Sequence, residues 1–331
     1  MGIKCLLKFI NEYPELIDNV ENSKYKFRKI AIDISILIYR IVISVRNSGA
    51  DYTNQKGEVT SHILGLFNKT IELLNNGIIP VYVFDGKPPD LKTKTLENRK
   101  QIRKKALEKL ELATTEEDKI KYFKRSSSIT KEQWKQCKDL LDIMGIPYVN
   151  APEEADSQCA YLAKMGLVDG VFTEDMDILT FGSPKIIRNL TSNKISTTEI
   201  NLDKLLKKLE LSQEEFIEFC ILLGCDYCSG IIESKPNIIY NYYKKCKSIE
   251  KTLVMMKNDN INVPDEINYT ETKNYFLNPH VKEITVADIT LKEPKYDILL
   301  YKLVNEYGLI KKLIKTKLDK LVTYYNVLQK C

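Results

Sequence analysis

Residues Phe172–Gly182 read FTEDMDILTFG, three carboxylates set into an apolar run. Val171 and Phe172 lead in like a buried strand; Ile178, Leu179 and Phe181 follow Glu174, Asp175 and Asp177. A lone acidic turn is ordinarily solvated surface. Acids that meet others arriving from elsewhere in the chain are different, because packed like charges repel strongly unless cations neutralise them. Two divalent ions ~3.5–4 Å apart would do so, and would clamp the attacking and leaving oxygens of a phosphodiester.

The elements around these acids decide between the two readings. Lys29–Asp33 reads as a buried strand and Ile34–Val45 as the helix after it. Thr60–Asn76 has helical periodicity, with Leu64, Phe67, Ile71 and Leu74 on one stripe. Ile79–Phe84 is a second strand, ended by Asp85-Gly86 and Pro88-Pro89. Ile146–Val149 is short and strand-like, Pro152 is placed to start a helix, and Val168–Thr173 is the next strand. The alternation predicts an α/β fold, a mostly parallel central sheet with helices on both faces. In such sheets ligands bind beyond the carboxyl ends of the strands. Asp33, Asp85, Asp175 and Asp177 all lie there. Glu153, Glu154 and Asp156 open the helix after the third strand, and Asp226 follows another apolar helix. Each motif alone is weak, since acids in a helix's first turn are ordinary dipole partners. Their convergence makes them a metal rim.

Composition narrows the chemistry. The 331 residues are 44% hydrophobic and 29% charged, as in a soluble globular protein. No apolar run reaches the ~18 residues of a membrane span; Ile30–Val45 is interrupted by Asp33 and Arg40. No secretory signal precedes the first charges, and Leu6 spoils the myristoylation pattern begun by Met1-Gly2. Eight scattered cysteines read as free thiols, and Cys225-Asp226-Tyr227-Cys228 lacks the second pair of a zinc site. His62 and His280 are the only histidines, and both read as surface or capping residues. A metal here has oxygen ligands, which favours magnesium or manganese over zinc.

Two further segments stand apart. Leu91–Arg125 is dense in Lys, Arg and Glu; on a helix Lys92, Arg99 and Arg103 share one stripe. Ile310–Leu328 is basic and amphipathic, with Ile314, Leu318, Leu321, Tyr325 and Leu328 on one face.

The N-terminal Met1-Gly2-Ile3, AIDISILIYR, TSHILGLFNKTIELLNNGIIPVYVFDGKPP, MGIPYVNAPEEADSQCAYL, TEDMDILTFGSP and CILLGCDYC closely resemble the structure-specific 5′ nucleases, above all the flap endonuclease branch. The resemblance runs almost without gaps to about residue 250. It implies a PIN-like fold and a magnesium-dependent 5′ flap endonuclease with 5′–3′ exonuclease activity in replication and repair. Matched motif by motif, Asp33, Asp85, Glu154 and Asp156 serve a first magnesium ion, and Asp175, Asp177 and Asp226 a second, with manganese as a substitute. Glu153 and Glu174 match no ligand position. Asp156 stands where the flap branch has Glu; the form EAD belongs to the related mismatch-repair exonuclease branch. The short spacer from Asp85 to Glu154 excludes the excision-repair branch with its long insertion.

By the same resemblance Lys92 and Arg99 reach the scissile phosphate, and Arg103 extends their stripe along a helical arch that admits the single-stranded flap. Tyr39 matches an aromatic on which a nucleobase stacks, and Gly2, Arg46 and Arg188 match other DNA-side positions. The net charge of +5 understates the basic surface if seven acids are sequestered at metals. The resemblance divides a single nuclease domain, 1–331, into an N-terminal region (1–90), the arch (91–130), an internal region (131–226), a degenerate helix-two-turn-helix (227–260) and C-terminal helices (261–331).

Three departures set this chain apart from the family. Its Gly-Ile-Gly hairpin, which grips duplex and helps hold potassium, is replaced by Glu233-Ser234-Lys235, with Asn237 where lysine is usual. Losing both glycines removes close backbone approach, which puts potassium binding in doubt; the carbonyls of Gly230 and Ile231 remain. Gln55 and Lys56 dilute the acidic run near the 3′-flap pocket, leaving Glu58. No sliding-clamp box closes the chain. The expected partner is branched or flapped DNA, with no membrane, the chain a monomer, located intracellularly at sites of DNA replication. Two other readings compete: an aspartate-nucleophile phosphatase, whose D-x-D belongs after the first strand, and a non-catalytic junction binder, which would not need seven ligands.

Overall fold

Continuous apolar runs four to six residues long, bounded by acids and turn residues, are buried strands in α/β proteins. The computed structural model describes residues 2–190, 196–231, 234–264 and 267–328. Its strands are β1 (Ile17–Val20), β2 (Lys29–Asp33), β3 (Ile79–Phe84), β4 (Tyr148–Asn150), β5 (Val171–Phe172), β6 (Lys185–Arg188) and β7 (Thr197–Asn201). The chain forms two compact units. One comprises Met1–Glu21, Asp85–Thr95 and Ala151–Glu283; the other comprises Asn22–Phe84, Leu96–Asn150 and Ile284–Cys331.

The second unit carries the parallel trio β2, β3 and β4, in register from Lys29 opposite Ile79 to Asp33 opposite Val83, and from Tyr82 opposite Tyr148 to Phe84 opposite Asn150. Ile30, Ala31, Ile32, Val81, Tyr82 and Val83 are fully buried, as strands covered on both faces require. Helix Ile34–Val45 begins where it does because Asp33 caps it, accepting the Ser35 N–H at 2.7 Å. Helix Ser61–Asn75 buries Leu66, Phe67, Thr70, Ile71 and Leu74, and the Thr70 hydroxyl meets Tyr82 Oη at 2.9 Å. The basic segment forms helices Thr93–Glu111 and Glu116–Arg125; Ala106 is buried in the first and no residue is in the second. Helix Lys311–Leu328 buries Ile314, Leu318 and Leu321, and Tyr324 donates to the Asn75 carbonyl at 3.0 Å.

In the first unit β5 runs parallel to β6, β6 antiparallel to β7, and β7 antiparallel to β1. Helices Ala155–Lys164, Gln213–Leu223, Pro236–Cys246 and Tyr269–Leu277 belong to this unit. The α/β alternation expected from the sequence is present, with three local differences. Pro152 does not start a helix: its carbonyl and that of Glu153 accept the N–H groups of Lys87 and Gly86, so the helix begins at Ala155. β5 spans two residues rather than six, because the chain is still turning through Asp169 and Gly170. His62 is neither surface nor cap; it is fully buried, its Nε2 2.7 Å from Gln136 Oε1, and burial lowers its pKa.

The turn after β3 places the first acid of this unit. A Cβ on Gly86 would lie 2.3 Å from the carbonyl oxygens of both Ala151 and Pro152, so only glycine lets the two backbones meet. Gly86→Ala is expected to cost about 1–3 kcal/mol, as for overpacking against immobile atoms. Urea denaturation checks this, and a cost below measurement would show that the turn can shift.

Candidate active site

Six of the seven acids matched to metal positions, together with Lys92, belong to the first unit. Asp85 is exposed, yet its Oδ1 accepts the Ala155 N–H at 2.9 Å. It thereby supplies the cap that Glu154, the residue at the N-cap position, leaves unmade. The Glu154 side chain is free to turn elsewhere. It is 5% exposed; Lys92 Nζ donates to its Oε1 and the Tyr227 hydroxyl to its Oε2. Lys92 also lies 3.3 Å from Asp226 Oδ2, so one ammonium joins acids from two separate loops. Asp226 itself is held by Thr95, whose hydroxyl donates to its carbonyl at 2.6 Å.

The FTEDMDILTFG stretch folds as a tight turn between β5 and helix Asp177–Thr180. Asp175 N–H is received by the Thr173 hydroxyl at 3.0 Å, and Asp177 N–H by Asp175 Oδ1 at 3.2 Å. The Asp177 side chain is 3% exposed and its Oδ1 is buried without a hydrogen-bond partner among the described residues. Gly2 backs against this pair: a Cβ there would lie 1.7 Å from Asp175 Oδ1 and 2.6 Å from Asp177 Oδ1.

The electrostatics follow from burial and like charge. Burial, then repulsion from Asp175 and Asp226, pushes the Asp177 carboxyl well above its usual range. Burial also raises Asp175, opposed by the hydrogen bond from Asp177. Glu154 is raised by burial and by Asp85, against the lowering effect of Lys92 and Tyr227. Burial disfavours the Lys92 ammonium, but Glu154, Asp226 and Asp156 outweigh it and hold its pKa above the ordinary value. The cluster carries more negative charge than a buried site tolerates without cations.

A magnesium-type ion fits this donor set. The ligands available are carboxylate oxygens with no imidazole, the preference of a hard divalent cation, and the orphaned Asp177 Oδ1 is a donor in want of one. Glu154, Asp156, Asp175, Asp177, Asp226 and Asp85 would hold it. Among the described residues no three such side chains enclose an ion as they stand.

Other residues named from the sequence are placed as follows. Asp33 and Tyr39 lie in the second unit, at the cap and on the body of helix Ile34–Val45. Arg99 and Arg103 are half-buried on helix Thr93–Glu111, whereas Lys92 closes the 3₁₀ turn Asp90–Lys92 just before it. Arg46 is bound internally, to Asp51 at 2.8 Å, the Phe123 carbonyl and the Ser127 hydroxyl. Arg188 donates to Glu174 at 2.7 Å. Gly230, at φ +63°, packs against Gly224, and the buried Ile231 donates its N–H to the Leu222 carbonyl at 2.8 Å. Asn237 is engaged with Glu12, and Glu233 lies outside the described residues.

Sequence reasoning missed Tyr227. Its ring sits among Tyr275 at 4.9 Å and Phe276 at 5.4 Å, and burial raises its hydroxyl's pKa. The signal was its place beside Asp226, inside the CILLGCDYC motif, where its hydroxyl was given no role. Those thiols, Cys225 and Cys228, are buried and unbridged, and burial raises both.

Two family models match, the XPG N-terminal domain over residues 1–106 and the XPG I-region over 145–226. Flap endonuclease 1 of Nematostella vectensis is 42% identical over 328 residues, covering 97% of this chain and 87% of the relative. The chain belongs to the flap endonuclease 1 family. Among solved structures it is similar to flap endonuclease-1 from Methanococcus jannaschii (34% identity, TM-score 0.73, covering 93% of this chain and 96% of that one). It is also similar to the catalytic core of Rad2 in complex with DNA substrate (27% identity, TM-score 0.74, 97% and 100%). These likenesses give it the PIN-like 5′ nuclease fold.

The orphaned acid makes a prediction of unusual sign. A carboxylate whose folded pKa is raised favours the fold when protonated, so its ionisation destabilises the ion-free protein as pH rises above about 4. Asp177→Asn should therefore stabilise the ion-free protein at neutral pH by roughly 1–3 kcal/mol, the range for relieving a buried unsatisfied group. The gain should vanish at low pH. Denaturation in EDTA across pH tests it; a loss of stability at neutral pH would show that Asp177 is a structural hydrogen-bonding residue.

Proposed function

We propose that this flap endonuclease cuts 5′ single-stranded flaps where they join duplex DNA, with 5′–3′ exonuclease activity besides, and that the acidic cluster is its reactive centre. The enzyme is a phosphodiester hydrolase of replication and repair. The observation that supports the assignment of the centre is the buried Asp177 oxygen that lacks a partner amid like charges. By the family's motif positions the ligand set is Asp33, Asp85, Glu154 and Asp156 for one magnesium ion and Asp175, Asp177 and Asp226 for the other. When bound, two such ions supply Lewis acidity and a hydroxide-generating site.

The chain's own residues do the rest. Tyr227 and Asp85 fix the Glu154 loop from two directions, so its carboxylate is preset. Lys92 and Arg99 supply positive charge to the phosphate, where preorganised donors act most strongly on developing charge. Tyr39 offers a stacking face for a base, worth about 1–3 kcal/mol. Arg103 continues the basic stripe, while Arg46, Arg188, Gly2, Gly230 and Ile231 border the DNA. With Asn237 engaged by Glu12 and Glu233-Ser234-Lys235 in place of the family's glycines, the segment after Gly230 anchors duplex loosely and needs potassium little. The protein works as a monomer at sites of replication in the nucleus or a viral replication compartment. Among the described residues no helix is long and apolar enough to cross a membrane.

Labelled flap, nick, gap and duplex substrates test this reading in gel assays with magnesium and then EDTA. Flap cleavage with magnesium, lost in EDTA and spread over several nucleotides at the junction, is expected; a single sharp site would refute the loose anchor. Asp175→Ala or Asp85→Ala should nearly abolish cleavage while flap binding stays measurable, and wild-type rates in either would sink the ligand assignment.

Arg99→Ala should lower the single-turnover rate about 10²-fold, the order for removing one electrostatic stabiliser. A variant that loses only affinity would make Arg99 a binding residue instead.

A further inference from the structure

We propose that the ion-free enzyme fills its acidic cluster with its own ammonium, Lys92, and that divalent-ion binding is an exchange in which Lys92 leaves Glu154 and Asp226. The inference rests on the cluster being the metal site. Lys92 ends a short 3₁₀ turn, and its side chain is only 13% exposed. Its Nζ bonds Glu154 Oε1 and stands 3.3 Å from Asp226 Oδ2, bridging the loop before helix Ala155–Lys164 and the loop after helix Gln213–Leu223. Both carboxylates are thus committed to an internal cation. The same oxygens cannot hold the ammonium and ligate a divalent ion with full strength.

Release is built into the surroundings. Glu154 keeps a second anchor when Lys92 departs, because Tyr227 holds its other oxygen. Asp226 keeps its place through Thr95. Lysine suits such an exchange because it is a compact charge on a flexible four-carbon stem, where an arginine fork would lock bidentately to a carboxylate. The consequence is a coupling. The ammonium becomes available to a substrate phosphate only when the metal charge has replaced it, so the ion-free enzyme presents no competing phosphate grip from Lys92.

Two measurements test the exchange. In wild-type enzyme, reductive methylation followed by mass spectrometry should find Lys92 protected in EDTA and labelled roughly tenfold faster in magnesium, the ratio for about 1.4 kcal/mol of released pairing. Equal labelling in both conditions would overturn the proposal, and this holds whether or not any variant folds. Manganese affinity, followed by electron paramagnetic resonance, should rise roughly tenfold in Lys92→Met. Lys4, which donates to the Ser229 carbonyl at 2.9 Å, is the control. Unchanged affinity in Lys4→Met supports displacement, whereas equal tightening in both variants would reduce the effect to through-space charge and overturn it. If neither wild type nor Lys92→Met binds manganese, the metal-site reading itself falls and the exchange with it.

Discussion

The governing constraint in this protein is the cost of bringing several carboxylates together out of water. An uncompensated buried charge costs several kcal/mol, and a domain's net stability is only about 5–15 kcal/mol. The cluster can therefore exist only where the surrounding fold is overdetermined and where cations are supplied. The fold meets the first requirement by hanging the acids on strand ends and helix starts. Asp85 is tied to the helix that follows Glu154, and Asp175 is tied into the turn that presents Asp177. Gly86 lets its turn meet the Ala151 and Pro152 carbonyls, and Gly2 leaves space for the Asp175 and Asp177 carboxylates.

The second requirement explains features that otherwise look unrelated. The Lys92 ammonium pairs with two acids at once and is held charged by them despite burial. Tyr227 lends a hydroxyl to Glu154 from within an aromatic cluster that fixes its ring. Asp177 keeps one oxygen with no partner among the described residues, on a carboxyl that Asp175 and Asp226 repel. A site built for stability alone would have satisfied or neutralised that oxygen. A hard divalent cation, which the family uses, is the kind of partner such an oxygen suits.

Much of this architecture could be read from the residues. β2, β3 and the helices that follow them were legible because their apolar runs are long, doubly covered and sharply ended by acids. The acids themselves drew notice because ligands in α/β sheets bind beyond the carboxyl ends of strands. What escaped notice depends on contacts distant in sequence. Pro152 looks like a helix start, but the N–H groups of Gly86 and Lys87 claim the carbonyls before that helix. β5 is short because the chain is still turning through Asp169 and Gly170, which its apolar composition does not reveal. Tyr227 was hidden inside a cysteine motif, since nothing local marks a hydroxyl that bonds to a glutamate 73 residues away.

The same lesson corrects the reading of charge. Counting lysines and arginines suggests a broad basic face for phosphate, but several of those cations are spent internally. Arg46 binds Asp51, the Phe123 carbonyl and the Ser127 hydroxyl, Arg188 binds Glu174, and Lys92 binds the acidic cluster. Glu174 sits beside two metal-type acids yet serves an arginine, so adjacency to the cluster does not make a residue part of it. Affinity for DNA in such a protein depends less on formal net charge than on which cations are free when the phosphate arrives. Those engaged at a carboxylate contribute only after something else has taken their place, which makes the internal ion pairs a determinant of binding in their own right.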